Sequence, residues 1–242
     1  WALWMVFRME DTPQPRDAAG GTRRPPVGEV LKYLAGKPTV MCLAVSFACH
    51  VFANIGYLTW MPTFLHEKYA LSLTAASFWA LSVHYAASAL GVLVGGHLSD
   101  RLVIRRQAAR MDFEWVGLLL SAPFLIWMAH ANTLVVCLVA SGLYGIFRGV
   151  YDSNLFAAPF DVTAPRYRSS MVGLVLSFGF IIGAAAPYLL GAMKKPWGLD
   201  AGITLLGIAY VVGSIAALVG LHGFFHRDFV PEETTGEEEG LR

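Results

Sequence analysis

The sequence predicts an all-α membrane protein with six transmembrane helices, and three observations carry that reading. Of its 242 residues 56% are hydrophobic and only 14% are charged, with a mean hydropathy of +0.53. A soluble domain carries about 25% charged residues, so lipid is the main solvent of this chain. The apolar residues gather into six runs, each close to the roughly 20 helical residues that cross a hydrocarbon layer about 30 Å thick. Positive charge is also uneven: fourteen of the eighteen Lys and Arg fall in the segment before the first run, the Arg101–Arg110 loop, the Arg166 loop and the tail. By the positive-inside rule these segments are cytoplasmic, and six spans with both ends inside satisfy that count.

Taken in order, residues 1–7 read as the end of a preceding transmembrane helix. A start at Trp1 without methionine leads us to expect the later part of a longer chain. Residues 8–37 are rich in Pro, Gly and mixed charge, the composition of a cytoplasmic linker, with a short surface helix expected near Val27 to Leu34. Residues 38–226 form the six-helix transmembrane bundle and residues 227–242 an acidic cytoplasmic tail containing Glu232, Glu233, Glu237, Glu238 and Glu239. Within the bundle the expected spans are 38–65, 74–96, 115–131, 133–160, 169–190 and 201–225. The second ends at the glycine pair Gly95-Gly96, the third begins with Phe113 and Glu114 at the interface, and the last two are joined by a loop over 193–200. Gly91-x-x-x-Gly95 and Gly179-x-x-x-Gly183 are spacings that let helices approach closely in lipid, and Pro187 predicts a kink.

Composition also excludes functions. A net charge of +1 does not suit nucleic acid. No dinucleotide-binding, phosphate-loop or zinc-protease motif occurs, and Cys42, Cys49 and Cys137 all lie in apolar runs as small hydrophobes. No cofactor or metal is implied, and no nucleophile and base fall at a spacing that would make the chain an enzyme.

The informative polar residues lie inside the spans. Ser141, Tyr144, Arg148 and Asp152 follow i, i+3, i+7 and i+11, a single stripe on the fourth span. An intramembrane arginine costs from about 2.5 to well over 10 kcal/mol, so it must face a cavity or a partner. Asp152 is one turn away. One reading is a buried pair that only holds helices together. The other is a cation that attracts an anionic substrate while Asp152 takes or releases a coupling proton. His50, Asn54 and Tyr57 form a second stripe on the first span, able to hydrogen-bond hydroxyl or carboxylate oxygens; His84, in the second span, is read as bonded to a neighbouring helix.

The loop Gly96-His97-Leu98-Ser99-Asp100-Arg101-Leu102-Val103-Ile104-Arg105 resembles the Gly-x-Leu-Ala-Asp-Arg-x-Gly-Arg-Lys motif of the major facilitator superfamily. Gly96, Leu98, Asp100, Arg101 and Arg105 match, Ser99 is a near match, and Val103 and Ile104 depart from it. Residues 57–65 resemble the end of that superfamily's seventh span. The runs 145–154 and 165–170 are similar to its sugar-acid and organic-anion symporters. The resemblance implies that this chain is the carboxy-terminal six-helix half of such a transporter, working by alternating access with an amino-terminal half. It places the first and fourth spans beside the central cavity, with His50, Asn54, Tyr57, Tyr144, Arg148 and Asn154 as the substrate-binding set. Gly96, Asp100, Arg101, Arg105 and Asp161 would form a conformational latch, with Arg101 reaching Asp161. The expected partners are a small anionic solute, a proton and membrane lipid, and the expected location is the plasma (inner) membrane. A proton-coupled exporter of drugs or metabolites and a non-transporting scaffold or sensor remain open.

Overall fold

The computed structural model describes residues 26–230; the reading of residues 1–7, most of the linker and the acidic glutamates lies outside them. Nine helices occur among the described residues: α1 Val27–Ala35, α2 Pro38–Tyr69, α3 Leu73–Val103, α4 Ala109–Ala129, α5 Leu134–Asp152, α6 Ala157–Asp161, α7 Pro165–Gly183, α8 Ala185–Gly223 and α9 Phe225–Asp228. Several boundaries follow from local chemistry. Pro38 and Pro165 open α2 and α7, where a missing N–H is harmless. Ser72 and Thr133 cap α3 and α5 by accepting from the amides of Ala75 and Val136. The α2 chain stops at Ala70, which adopts a left-handed conformation with φ 53°.

Five helical stretches are long and apolar enough to cross a membrane, and the last, Pro165–Gly223, has 59 residues. An unbroken helix of that length would be about 88 Å long, far more than one crossing needs. Gly198 interrupts it with φ 78° and ψ 167°, a conformation that suits glycine. The chain then returns alongside itself. A Cβ on Gly202 would lie 3.0 Å from the Leu190 side chain, although twelve residues of straight helix would separate them by about 18 Å. The stretch is therefore two crossings, and the bundle has six.

Glycine contacts give the directions. Gly179 meets Phe47, Gly183 meets Val51 and Gly191 meets Trp60, so α7 and the first limb of α8 run parallel to α2. Gly213 meets Cys49 and Gly220 meets Cys42, so the second limb runs antiparallel to it. Both ends of the bundle, with α1 and α9, consequently lie on one side. That end is tied by the last turn of the chain: the Thr39 amide donates to the Asp228 carboxylate at 3.0 Å, and Lys37 Nζ donates to the Asp228 carbonyl at 2.6 Å. Large apolar side chains such as Leu93, Val135 and Ile181 are more than two-thirds exposed, which suits a surface covered by lipid.

Three expected boundaries are corrected. The pair Gly95-Gly96 does not end a helix; α3 runs through it to Val103, because Gly95 is a contact surface against Val150 and Ser153. The helix α4 starts at Ala109, six residues before Trp115, and carries Glu114 into the interior, where it is 1% exposed. The fourth span runs over Leu134–Asp161, close to the expected 133–160, with a turn after Asp152 where Ser153 Oγ donates to the Val150 carbonyl at 2.7 Å. Finally, the expected loop over 193–200 is helical except at Gly198; the kink expected from Pro187 is present at Ala184, in the turn before it, where the proline removes a helical hydrogen bond.

Candidate substrate and proton site

The centre of the bundle is built by α5 meeting its neighbours. Against α3 it packs backbone to backbone: a Cβ on Gly145 would lie 2.6 Å from the His84 carbonyl oxygen, and one on Gly149 would lie 2.2 Å from that of Ser88. Toward α2 the stripe read from sequence crosses the space with long polar side chains. Ser141, Tyr144, Arg148 and Asp152 do share one face, and each finds a partner on another helix.

Those partners form one connected chain of polar atoms. Tyr144 Oη lies 3.2 Å from Tyr210 Oη on the second limb of α8, and Tyr210 Oη lies 3.2 Å from His50 Nδ1. His50 Nε2 is 3.3 Å from one Asp152 oxygen, while Arg148 Nη2 is 3.1 Å from the other. Arg148 Nη1 donates to His84 Nε2 at 3.0 Å. Above this chain, the Tyr57 hydroxyl donates to the Ala80 carbonyl or to Ser141 Oγ, 3.0 and 2.8 Å away. The rings of His84 and Tyr144 stack at 5.0 Å, and those of His50 and Tyr151 at 4.7 Å.

Hydrogen-bond polarity settles one proton. A guanidinium has no acceptor, so His84 Nε2 accepts from Arg148 and the neutral ring carries its proton on Nδ1. That Nδ1 is buried with no partner, and so is Arg148 Nε. The site thus holds two donors with no acceptor, beside an ion pair whose Asp152 end is the more accessible, 21% exposed against 11% for the Arg148 side chain. Asn54 Oδ1 is also buried and unpaired. A small solute bearing carboxylate or phosphate oxygens could satisfy the donors, and its negative charge would compete with Asp152 for Arg148.

Of the expected residues, His50, Asn54, Tyr57, Tyr144, Arg148 and Asp152 are placed around this centre. Asn154 is not: its Oδ1 accepts from Ser99 Oγ at 2.7 Å and its Nδ2 donates to Ser153, a fastening between α3 and the turn after α5. The expected contact of Arg101 with Asp161 is replaced by Arg110, whose Nη1 lies 2.7 Å from Asp161 Oδ1. Arg110 sits in the first turn of α4, whereas Gly96 is half-buried and Asp100, Arg101 and Arg105 are exposed on the last turn of α3 and just beyond it. Tyr210 escaped the sequence reading, although it is the one tyrosine of the sixth span, whereas His84, expected to bond a neighbouring helix, is bound to Arg148 of α5.

Six membrane-length helices thus surround a buried arginine–carboxylate pair, the architecture of a polytopic membrane protein. The chain belongs to the Major Facilitator Superfamily, whose sequence profile matches residues 1–187. It is 27% identical over 203 residues to a probable chloroplastic anion transporter of Oryza sativa subsp. japonica, covering 81% of this chain and 34% of that protein. It is 25% identical to a chloroplastic ascorbate transporter of Arabidopsis thaliana, over 88% of this chain and 41% of that one. A probable sulfoacetate transporter of Cupriavidus necator is 28% identical over 70% of this chain and 40% of its own length. The chain therefore spans between a third and two-fifths of these relatives. Its fold matches that of a bacterial homologue of the human lysosomal transporter Spinster, solved inward-facing and unoccupied, with a TM-score of 0.70 at 18% identity, covering 96% of this chain and 58% of that one.

Proposed function

We propose that this chain is the carboxy-terminal half of a secondary active transporter that moves small organic anions, sugar acids among them, by proton symport and alternating access. The observation that carries the reading is the Arg148–Asp152 pair at 3.1 Å with two buried donors beside it, Arg148 Nε and His84 Nδ1, that have no acceptor. An entering anion takes these donors and loosens the hold of Arg148 on Asp152. Asp152, no longer neutralised, then takes the coupling proton. Loading both removes the net charge that would oppose movement of the site across the bilayer. The names of anion, ascorbate and sulfoacetate transporters among the relatives support an anionic substrate. The opposite wall of the site comes from an amino-terminal half, and the two halves rock around a midplane site.

In this reading the end bearing α1 and α9 faces the cytoplasm, the side that positive charge selects, and the protein resides in the plasma (inner) membrane. The exposed residues Asp100, Arg101 and Arg105, with Gly96, engage the amino-terminal half in one access state. Asp100→Asn is expected to slow transport more than it weakens binding, and equal losses would remove the latch.

The test is uptake of labelled ascorbate, sulfoacetate, phosphate and hexuronates into proteoliposomes holding both halves, under an imposed pH gradient. Gradient-driven uptake of an anion that is lost in folded Arg148→Ala is the expected result. No gradient-dependent uptake of any of them by folded, inserted protein would overturn the proposal.

A further inference from the structure

A second intramembrane carboxyl stands apart from the site. Glu114, on α4, is 1% exposed and is in no ion pair among the described residues. It belongs to the interior through packing: one turn further along, a Cβ on Gly117 would lie 3.1 Å from Tyr151 Cβ. Tyr151, on α5, has Glu114, Asp152 and the Ser46 hydroxyl as its electrostatic neighbours, and its ring stacks on His50 at 4.7 Å. Ser46, on α2, is fully buried, with its hydroxyl beside that of Tyr151. On the other side of Glu114 the charged neighbour is Asp161 at the end of α6, held by Arg110 at 2.7 Å. Arg110 is four residues before Glu114 on α4. Arg110 and Asp161 line a polar cavity of about 260 Å³ at the end of the bundle that carries α9.

These groups make a polar column through an otherwise apolar interior. Arg110, Glu114 and Gly117 lie one turn apart on one face of α4, so Glu114 stands between the Arg110–Asp161 cavity and the Tyr151 that packs on Gly117 and stacks on His50. A carboxyl this deep and without a cation is expensive in a membrane helix and marks function by default. The buried Ser46 and Tyr151 hydroxyls add groups between the two acids that can both donate and accept a hydrogen bond.

We infer that Glu114 is a proton-carrying station that connects Asp152 to the cavity beside Arg110 and Asp161. The inference rests on the proton-symport reading above and extends it. In the step assigned to Glu114, protonated Asp152 loses its proton and becomes a carboxylate. Each hydroxyl or water along the column accepts a proton on one side and gives one on the other, and Glu114 carboxylate becomes the acid. Glu114 then releases that proton to water in the cavity. The groups facing Glu114 throughout are Tyr151 of α5, Ser46 of α2, Asp161 of α6 and Arg110 of its own helix.

The experiment compares two modes of transport by the reconstituted two-half protein, using a mixture of labelled ascorbate, sulfoacetate and phosphate as the probe. Uphill uptake driven by a pH gradient requires the proton to pass through the protein, whereas counterflow exchange of the same anions at equal pH requires no net proton movement. Glu114→Gln is expected to lower gradient-driven uptake about tenfold or more, the scale of losing a positioned proton-transfer group, and to leave counterflow within about twofold. Glu114→Asp restores much of the driven uptake, and Tyr151→Phe lowers it in the same direction. Equal loss of both modes in a folded Glu114→Gln protein, or no loss in either, would overturn the inference while leaving the symport reading in place. Absence of gradient-driven uptake in the unsubstituted protein would overturn the symport reading and this inference together.

Discussion

The helix α5 meets α3 and α2 in opposite ways. Against α3 the contact is made by what is missing: at Gly91, Gly95, Gly145 and Gly149 an added Cβ would come within 2.0–2.8 Å of the neighbouring chain. Against α2 the contact is made by what is present, with Tyr57 reaching Ser141 and His50 reaching Asp152 across the space between backbones. In lipid there is no hydrophobic force to press helices together, so close van der Waals approach holds the first pair. The second pair is held by polar bonds that can exchange partners. One face of α5 is thus a fixed seam and the other is rearrangeable, which is the division of labour a moving site requires.

The largest effect that would break this comparison is at Arg148. Arg148→Ala leaves Asp152 as an unpaired charge in the interior and is expected to destabilise the protein by about 3–5 kcal/mol. Thermal unfolding in detergent checks it, and adding Asp152→Asn should recover most of the loss without restoring transport. If the double variant were as unstable as the single one, the pair would not be the rearrangeable element described here.

On the fixed face, Gly149→Ala places a methyl group 2.2 Å from the Ser88 carbonyl oxygen. An expected loss of about 2–3 kcal/mol follows from forcing two backbones apart, again read by thermal unfolding. A neutral outcome would mean that α3 and α5 slide freely, and the distinction between the two faces would disappear.

A smaller effect is expected where the end of the chain closes on α2. Asp228→Ala removes a carboxylate from the N-terminal turn of that helix, and a lost cap destabilises by about 1 kcal/mol. Burial would raise the Asp228 carboxyl, but bonds from Thr39 and the Arg227 guanidinium outweigh it and hold it below the usual carboxylate range. Because its folded value lies below the unfolded value of about 3.9, its contribution is complete above that pH and is lost as the pH falls through the folded value. The native and Asp228→Ala proteins should therefore differ in Tm near neutral pH and converge in strong acid. A gap that persisted there would mean that the carboxylate is not the stabilising group.

The sequence made the architecture legible because hydropathy and charge report directly on lipid and its boundary. The stripe on α5 was legible for a different reason: helical periodicity places 141, 144, 148 and 152 on one face whatever their neighbours are. What periodicity could not supply was the partner across the gap. Arg148 is bound by His84 of α3 as well as Asp152, and Tyr210 links His50 to Tyr144 from the other end of the chain, contacts that only tertiary packing creates. Asn154 shows the reverse, since the resemblance of residues 145–154 carried it into the expected set while its side chain bonds Ser99. Glycine was also misread at Gly95-Gly96, where the propensity to end a helix lost to the close contact that those residues permit.

The most direct test of the central claim is the affinity of folded Arg148→Lys for its anion, measured by equilibrium binding of the labelled solute that the two-half protein transports. Lysine keeps the charge but loses the planar fork that serves Asp152, His84 and an entering anion at once. An affinity about tenfold weaker or more, a change of about 1.4 kcal/mol, with the helical bundle intact is the predicted result. Unchanged binding and uptake would contradict the account and leave Arg148 as a fastening between helices.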